Sequence, residues 1–481
     1  MHPIPTEIFL GLSKVKSTET FPVFDPATGK VLMDVANATS TIWKHGLEIA
    51  IPAGKQWSTW APRKRSEVLT TIFHAINRHA DDLARIITLE MGKPLAQSQA
   101  EVSYGAEYFR WFAEEAVRLP GRVSHSPSGA GTITVTRTPV GPVLAITPWN
   151  FPLAMAARKI APALAAGCPI LVKPASETPL TLLRLAEVMN QVFLDYEVPD
   201  GLVSVIPTTY STKLSQELMA DPRLRKVTFT GSTGTGKLLV RQSADNLQRT
   251  SMELGGNAPF VVAADADLDL VVSCAAQAKM RNGGQTCIAA NRFYVHESLA
   301  DDFTQRLTKL MKNYVTGHGM DEKTTLGPMI NEHQRNRVHT LVTEAVAAGA
   351  TLQLGGEIPE GPGYFYPATV LTDVPADAQI NQEEIFGPVA TITTFTTLNE
   401  GITLANDTSF GLAAYGFSEN THLAHRLARE LEAGMVGINR AAISDPAAPF
   451  GGIGLSGFGR EGGSEGIEDY LDMKYIATPS R

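Results

Sequence analysis

Residues 284–289 read Gly-Gln-Thr-Cys-Ile-Ala, and Cys287 is one of only three cysteines in 481 residues. A cysteine that does chemistry works as a thiolate that adds to an electrophilic carbon, and it needs access from solvent. Attack on an aldehyde gives a tetrahedral oxyanion, which needs preorganised donors such as an amide side chain and a backbone N–H. If a thioester follows, a carboxylate or histidine must activate the water that breaks it. An asparagine and a glutamate stand in suitable settings. Asn150, in Thr-Pro-Trp-Asn-Phe-Pro, lies just past an apolar stretch that reads as a strand. Glu253, in Met-Glu-Leu-Gly-Gly, ends another short strand beside two glycines. Each residue alone has a plainer reading. Unpaired cysteines are mostly inert buried thiols, asparagines mostly cap helices, and carboxylates mostly lie solvated or salt-bridged.

The elements that must position these residues alternate. Residues 66–91 and 98–117 carry apolar side chains at helical spacing. Residues 121–141 have a Ser/Pro/Gly centre followed by an alternating Ile-Thr-Val-Thr-Arg-Thr, which predicts a protruding β-hairpin. From residue 142 short apolar strands alternate with helices. One helix ends at Gly167. Another starts with Thr178 as its capping hydroxyl and Pro179 at its first position. That rhythm predicts a parallel sheet with right-handed crossovers, the Rossmann-like α/β class. After a Gly-rich hinge at 252–260 it restarts, with helices at 268–280 and 299–313, and predicts a second α/β domain. The tail, Ile-Glu-Asp-Tyr-Leu-Asp-Met-Lys-Tyr-Ile-Ala, alternates like a strand. It is free to pair with the early hairpin or with another subunit.

Residues 231–237, Gly-Ser-Thr-Gly-Thr-Gly-Lys, meet half of a phosphate-binding P-loop. Leu238 stands where a Mg²⁺-holding Ser or Thr is needed, and Leu239 stands where a dinucleotide fingerprint needs its last glycine. What remains is a strand, a Gly-rich turn and a helix N-terminus, which suits an anion. Hydrophobic residues make up 43% and charged residues 19%, an ordinary globular balance. The net charge of −8, without a basic run, argues against a nucleic-acid partner. No apolar run is long enough to span a bilayer, and the N-terminus does not read as a signal peptide. Three widely spaced cysteines fit a reducing cytoplasm. The histidines form no ligand cluster, so no metal is implied.

Seven segments together resemble the aldehyde dehydrogenase superfamily: TPWNFP, KPASETP, FTGSTGTGK, MELGGNAP, GQTCIAANRF, EEIFGPV and PFGGIGLSGFGREGG, in family order from residue 147 to 463. The resemblance implies roles. Cys287 is similar to the nucleophile, Asn150 with the Cys287 N–H to the oxyanion hole, and Glu253 to the water-activating base. It puts Thr147, Pro148, Trp149, Lys173, Ala175, Ser176, Gly231, Ser232, Leu254, Glu384 and Phe386 along a nicotinamide cofactor cleft. It also implies a cofactor domain (1–120 and 140–253), a catalytic domain (254–445) and a β oligomerisation arm (121–139 and 460–481), hence a homodimer or homotetramer. The second cysteine of the redox-switched members is replaced by Ala289. Cys168 and Cys274 read as buried structural thiols.

Ser176 stands where NAD-preferring relatives often carry Glu. A serine can donate to a ribose 2′-phosphate and Lys173 can offer charge, which favours NADP over NAD. Within the superfamily the likeness is greatest to succinate-semialdehyde dehydrogenases, through GREGGSEGIEDYLDMKY. Arg158, Arg281 and Ser444 match the residues that grip the substrate carboxylate there, and a guanidinium pairs with carboxylate as a planar fork. The expected substrate is a short aldehyde with a distal carboxylate. Succinate semialdehyde leads, with glutarate semialdehyde and 2-oxoglutarate semialdehyde as rivals. A non-catalytic nucleotide-binding relative is the alternative of another class, and retention of Cys287 and Glu253 argues against it.

Overall fold

The computed structural model describes residues 3–479. Five parallel strands form the centre of an eight-stranded sheet, in the spatial order Val203–Val205, Ile170–Lys173, Val143–Ile146, Lys226–Thr230, Arg249–Glu253. The N-terminal strands Ile8–Leu10 and Ser13–Val15 close one side, and Gly457–Phe458 closes the other, all antiparallel. The parallel strands are almost wholly buried on both faces, which is why they read as short continuous apolar runs. Strand order reverses between Val143–Ile146 and Lys226–Thr230. A crevice opens at such a switch point, outside the carboxyl ends of the strands.

A seven-stranded sheet follows, built around Ala258–Val262, Ala290–His296 and Val389–Phe395, parallel except for the edge strand Thr351–Leu354. Only four residues separate the end of Arg249–Glu253 from the start of Ala258–Val262. The carboxyl edge of the first sheet therefore meets the amino edge of the second. The hairpin and tail form a third unit. Leu471–Pro479 pairs antiparallel with Gly131–Pro139 along nine residues, and Arg122–His125 adds a short edge strand.

Three readings need correction. The helical period over 66–91 covers two helices, Pro62–Arg78 and Ala80–Met91, broken at His79, which ends one and begins the next. The apolar spacing runs on through the break because both helices bury the same side. The second, 98–117, is Leu95–Ala116. Thr178 is not a cap. Glu90, fully buried on the helix Ala80–Met91, accepts from the N–H groups of Leu180 (2.7 Å) and Thr181 (2.9 Å) instead. Cys168 and Cys274 are buried, as expected. The last two residues of the arm, 480 and 481, lie outside the described residues.

Candidate active site

Asn150 follows the strand Val143–Ile146 at the switch point. It does not cap the helix Pro152–Ala166. The first N–H groups of that helix, on Leu153 and Ala154, donate to Glu101 Oε1 at 2.9 and 3.2 Å. The Asn150 amide is thus free to face the other way, and its Nδ2 donates to the carbonyl of Gln285 (3.0 Å), two residues before Cys287. Its backbone carbonyl is clamped by Lys93 Nζ (2.7 Å) and Asn282 Nδ2 (3.0 Å). Lys93 is itself buried and paired with Glu101 (2.6 Å). One polar network therefore fixes Asn150 against the loop that bears the cysteine.

That loop is tight. Asn282, Gly283 and Gly284 are consecutive left-handed residues. A Cβ on Gly284 would fall 2.0 Å from the carbonyl oxygen of Gly387. The two glycines of Met-Glu-Leu-Gly-Gly work similarly. A Cβ on Gly256 would fall 2.5 Å from the Cys287 carbonyl, and one on Gly255 would fall 2.7 Å from Glu384 Oε2. These glycines allow three backbones to converge where any side chain would hold them apart.

The convergence leaves a cavity of about 290 Å³ lined by Pro148, Trp149, Asn150, Gly231, Ser232, Glu253, Leu254, Cys287, Glu384 and Phe386, among others. Cys287 is partly accessible. Glu253 is buried and neither of its carboxylate oxygens has a hydrogen-bond partner. Burial pushes it above the usual carboxylate range, with Arg158 Nη2, 3.8 Å away, pulling the other way. Burial, then the neighbouring Glu253 charge, pushes the Cys287 thiol well up. A buried carboxylate beside a thiol is a proton acceptor beside a proton donor, and the pair can share one negative charge.

The cavity continues to the Gly-rich turn. Ser232 caps the helix Thr233–Ser243 through Thr235 N, and the first turn holds no acidic residue. A Cβ on Gly234 would touch nothing within 4 Å, so this positive helix end opens onto free space. Glu384 is half-buried, desolvation of its carboxyl pushes it up to about 7, and it accepts from Gly256 N–H at 3.1 Å. Phe386 has a left-handed backbone (φ 54°) and packs edge-on to Trp149, ring centres 5.3 Å apart. An anion-accepting helix end, a hydroxyl-accepting carboxylate and an aromatic wall fit a dinucleotide.

Thr147, Lys173, Ala175 and Ser176 do not line this cavity. Thr147 N–H donates to the Lys173 carbonyl (3.1 Å), tying the ends of the two strands. Burial lowers Lys173 to about 8. Ser176 Oγ donates to Glu177 (3.2 Å), on the wall of a second cavity of about 430 Å³. Arg158, Arg281 and Ser444 do not line the first cavity either, although Arg158 Nη2 lies 3.8 Å from Glu253, which does. Arg158 is 1% exposed, its Nε engaged by Glu461, and its Nη2 has no hydrogen-bond partner. Its place is an interior ion network with Glu461 and Lys159. Arg281 and Ser444 meet around Tyr104. Sequence reading missed Tyr104, Tyr108, Lys93, Glu101 and Glu461. Each carries chemistry only through partners distant in the chain.

The model of the aldehyde dehydrogenase family matches residues 14–476. The chain is 50% identical over 446 residues to a succinate-semialdehyde dehydrogenase of Paenarthrobacter nicotinovorans, covering 93% of this chain and 98% of that one. It is 42% identical to the succinate-semialdehyde dehydrogenase [NADP(+)] of Escherichia coli, covering 95% and 94%. The crystal structure of succinate-semialdehyde dehydrogenase from Burkholderia pseudomallei superposes with a TM-score of 0.96 at 42% identity, covering 99% of this chain and 98% of that one.

Proposed function

The chain belongs to the aldehyde dehydrogenase family, and from that premise we propose that it oxidises succinate semialdehyde to succinate with NADP as hydride acceptor. One observation carries the reading: Cys287, Asn150, Glu253 and Glu384 line a single cavity. Cys287 gives up its proton to solvent, and the thiolate sulfur adds to the aldehyde carbon. The oxyanion accepts hydrogen bonds from Asn150 Nδ2 and the Cys287 N–H. A bound NADP would supply the acceptor for the hydride that this carbon releases. Loss of the hydride leaves a thioester on Cys287. Glu253 takes a proton from water, the hydroxide adds to the thioester, and the S–C bond breaks to give the acid and regenerate the thiolate. Gly231, Ser232 and the start of Thr233–Ser243 would receive the pyrophosphate, Glu384 the nicotinamide ribose, and Trp149 with Phe386 the ring. Lys173 and Ser176 would meet the 2′-phosphate. The eight-stranded sheet then serves the cofactor, the seven-stranded sheet the catalytic cysteine, and the hairpin with the tail a homo-oligomeric contact. A reducing, cytoplasmic setting suits an unprotected thiol nucleophile.

The test is the absorbance of reduced cofactor on adding succinate semialdehyde with NADP or NAD, with glutarate semialdehyde and 2-oxoglutarate semialdehyde as competitors. Turnover with NADP and a preference for the four-carbon semialdehyde are expected. Cys287→Ala is expected to abolish turnover while leaving NADP binding intact, and full activity in that variant would sink the reading.

A further inference from the structure

Tyr104 belongs to no motif in the sequence, yet it is the point where the two groups set aside for the substrate's far end meet. It lies half-buried on the helix Leu95–Ala116. Its hydroxyl is 2.6 Å from that of Tyr108, one turn along, and 2.5 Å from Ser444 Oγ, which is 340 residues away in the chain. Its ring centre lies 5.9 Å from the Arg281 guanidinium carbon, which also sits 4.9 Å from the Phe151 ring. We propose that Tyr104 is a specificity-determining residue, whose hydroxyl aims Ser444 and whose ring steadies Arg281 toward a carboxylate on the substrate. The proposal rests on the carboxylated-aldehyde reading above and adds to it the residue that sets the preference.

The hydroxyl chain has a direction. Tyr108 is fully buried and stays a phenol, so it has a proton to donate. If Tyr108 donates to Tyr104, and Tyr104 donates to Ser444, then Ser444 keeps its own O–H free to donate onward. An anion beyond Ser444 selects that direction, and each bond in the chain polarises the next. An uncharged chain end makes no such selection. Arg281 adds to this. Two neighbouring aromatic rings restrain the guanidinium by cation–π attraction while leaving its planar donors available. Ser444 receives little support from its own loop, where Asp445 is occupied with the N–H of Ala447 (2.9 Å). Tyr104 is therefore a positioning group for Ser444 and Arg281, set one layer behind the substrate.

Succinate semialdehyde and butanal have the same carbon count and differ in the carboxylate, so together they test this. In Tyr104→Phe the ring stays and the hydroxyl goes. kcat/KM for succinate semialdehyde is expected to fall about tenfold, mainly through KM, the upper size of one lost hydrogen bond, with butanal unchanged. Ser444→Ala should give the same selective loss, and the double variant should lose no more than Ser444→Ala alone, because the two act as one unit. NADP affinity, read from quenching of tryptophan fluorescence, should not move. Tyr108→Phe, which breaks the chain one link earlier, gives a second route should Tyr104→Phe fold poorly, and its loss should again be confined to the carboxylated aldehyde. Equal losses on both aldehydes, or additive losses in the double variant, would overturn the proposal while leaving the reading beneath it standing. A parent enzyme that does not prefer succinate semialdehyde to butanal would overturn both.

Discussion

Glu253 has no hydrogen-bond partner for either oxygen inside a buried wall, and such a carboxylate resists ionisation. Its proton affinity is raised by burial, so the fold favours its protonated form. The stability it contributes is present in acid and is lost as pH rises through its raised value. Hydrolysis of a thioester needs the opposite form, so turnover should climb with pH through that same raised value. In Glu253→Gln this climb should vanish. Rapid mixing should show one equivalent of reduced cofactor formed in a burst, followed by a steady rate lowered at least about 100-fold, the usual size of a lost general base. A burst-free, uniformly slow reaction would instead place Glu253 before the thioester. A second residue-scale expectation concerns Glu177. Its carboxylate accepts from Ser176 and lies within electrostatic reach of Lys173, where a 2′-phosphate would have to sit. Glu177→Gln removes a repelling charge and should raise the NADP/NAD ratio of kcat/KM by about fivefold, the value of one partly screened charge interaction.

At the scale of elements, periodicity carried most of the reading, and the helix Leu268–Met280 and the strands Ile170–Lys173 and Lys226–Thr230 stand where their apolar patterns put them. Failures came where a tertiary partner overrode a local signal. Thr178-Pro179 has the composition of a helix start, yet Glu90, 90 residues back, supplies the acceptor. Asn150 has the composition of a cap, yet Glu101 caps that helix and releases Asn150 to the site. The short N-terminal strands went unread because Pro22 interrupts the alternation of Phe21 and Val23 in Thr20–Asp25. Both substitutions of cap by distant carboxylate can be measured. Glu90→Ala strips two buried N–H groups of their acceptor and should lower stability by about 1–2 kcal/mol, the cost of a lost cap. Thr178→Ala should change the denaturation midpoint far less. Equal effects would restore the local reading.

For the whole molecule, the candidate site was legible as residue types and the arm only as a shape. The tail's alternation is that of a strand, and the nine-residue register between Leu471–Pro479 and Gly131–Pro139 gives it a partner. That pairing leaves an apolar face uncovered. Tyr475 lies opposite Val135, Ala477 opposite Ile133 and Met473 opposite Arg137, so with period two they share one side of the ribbon. Met473 is 71% and Tyr475 64% exposed. A three-stranded ribbon with an exposed apolar face gains stability by burying that face on another copy. Charged residues there should leave each subunit folded, since neither side chain contributes to the interior, but should break up the proposed homo-oligomer. The variant Met473→Asp with Tyr475→Asp is expected to elute as a smaller species by light-scattering chromatography, with Cys287 chemistry still measurable by a reduced-cofactor burst. An unchanged mass would move the subunit contact elsewhere and leave the arm's apolar side without a role in assembly.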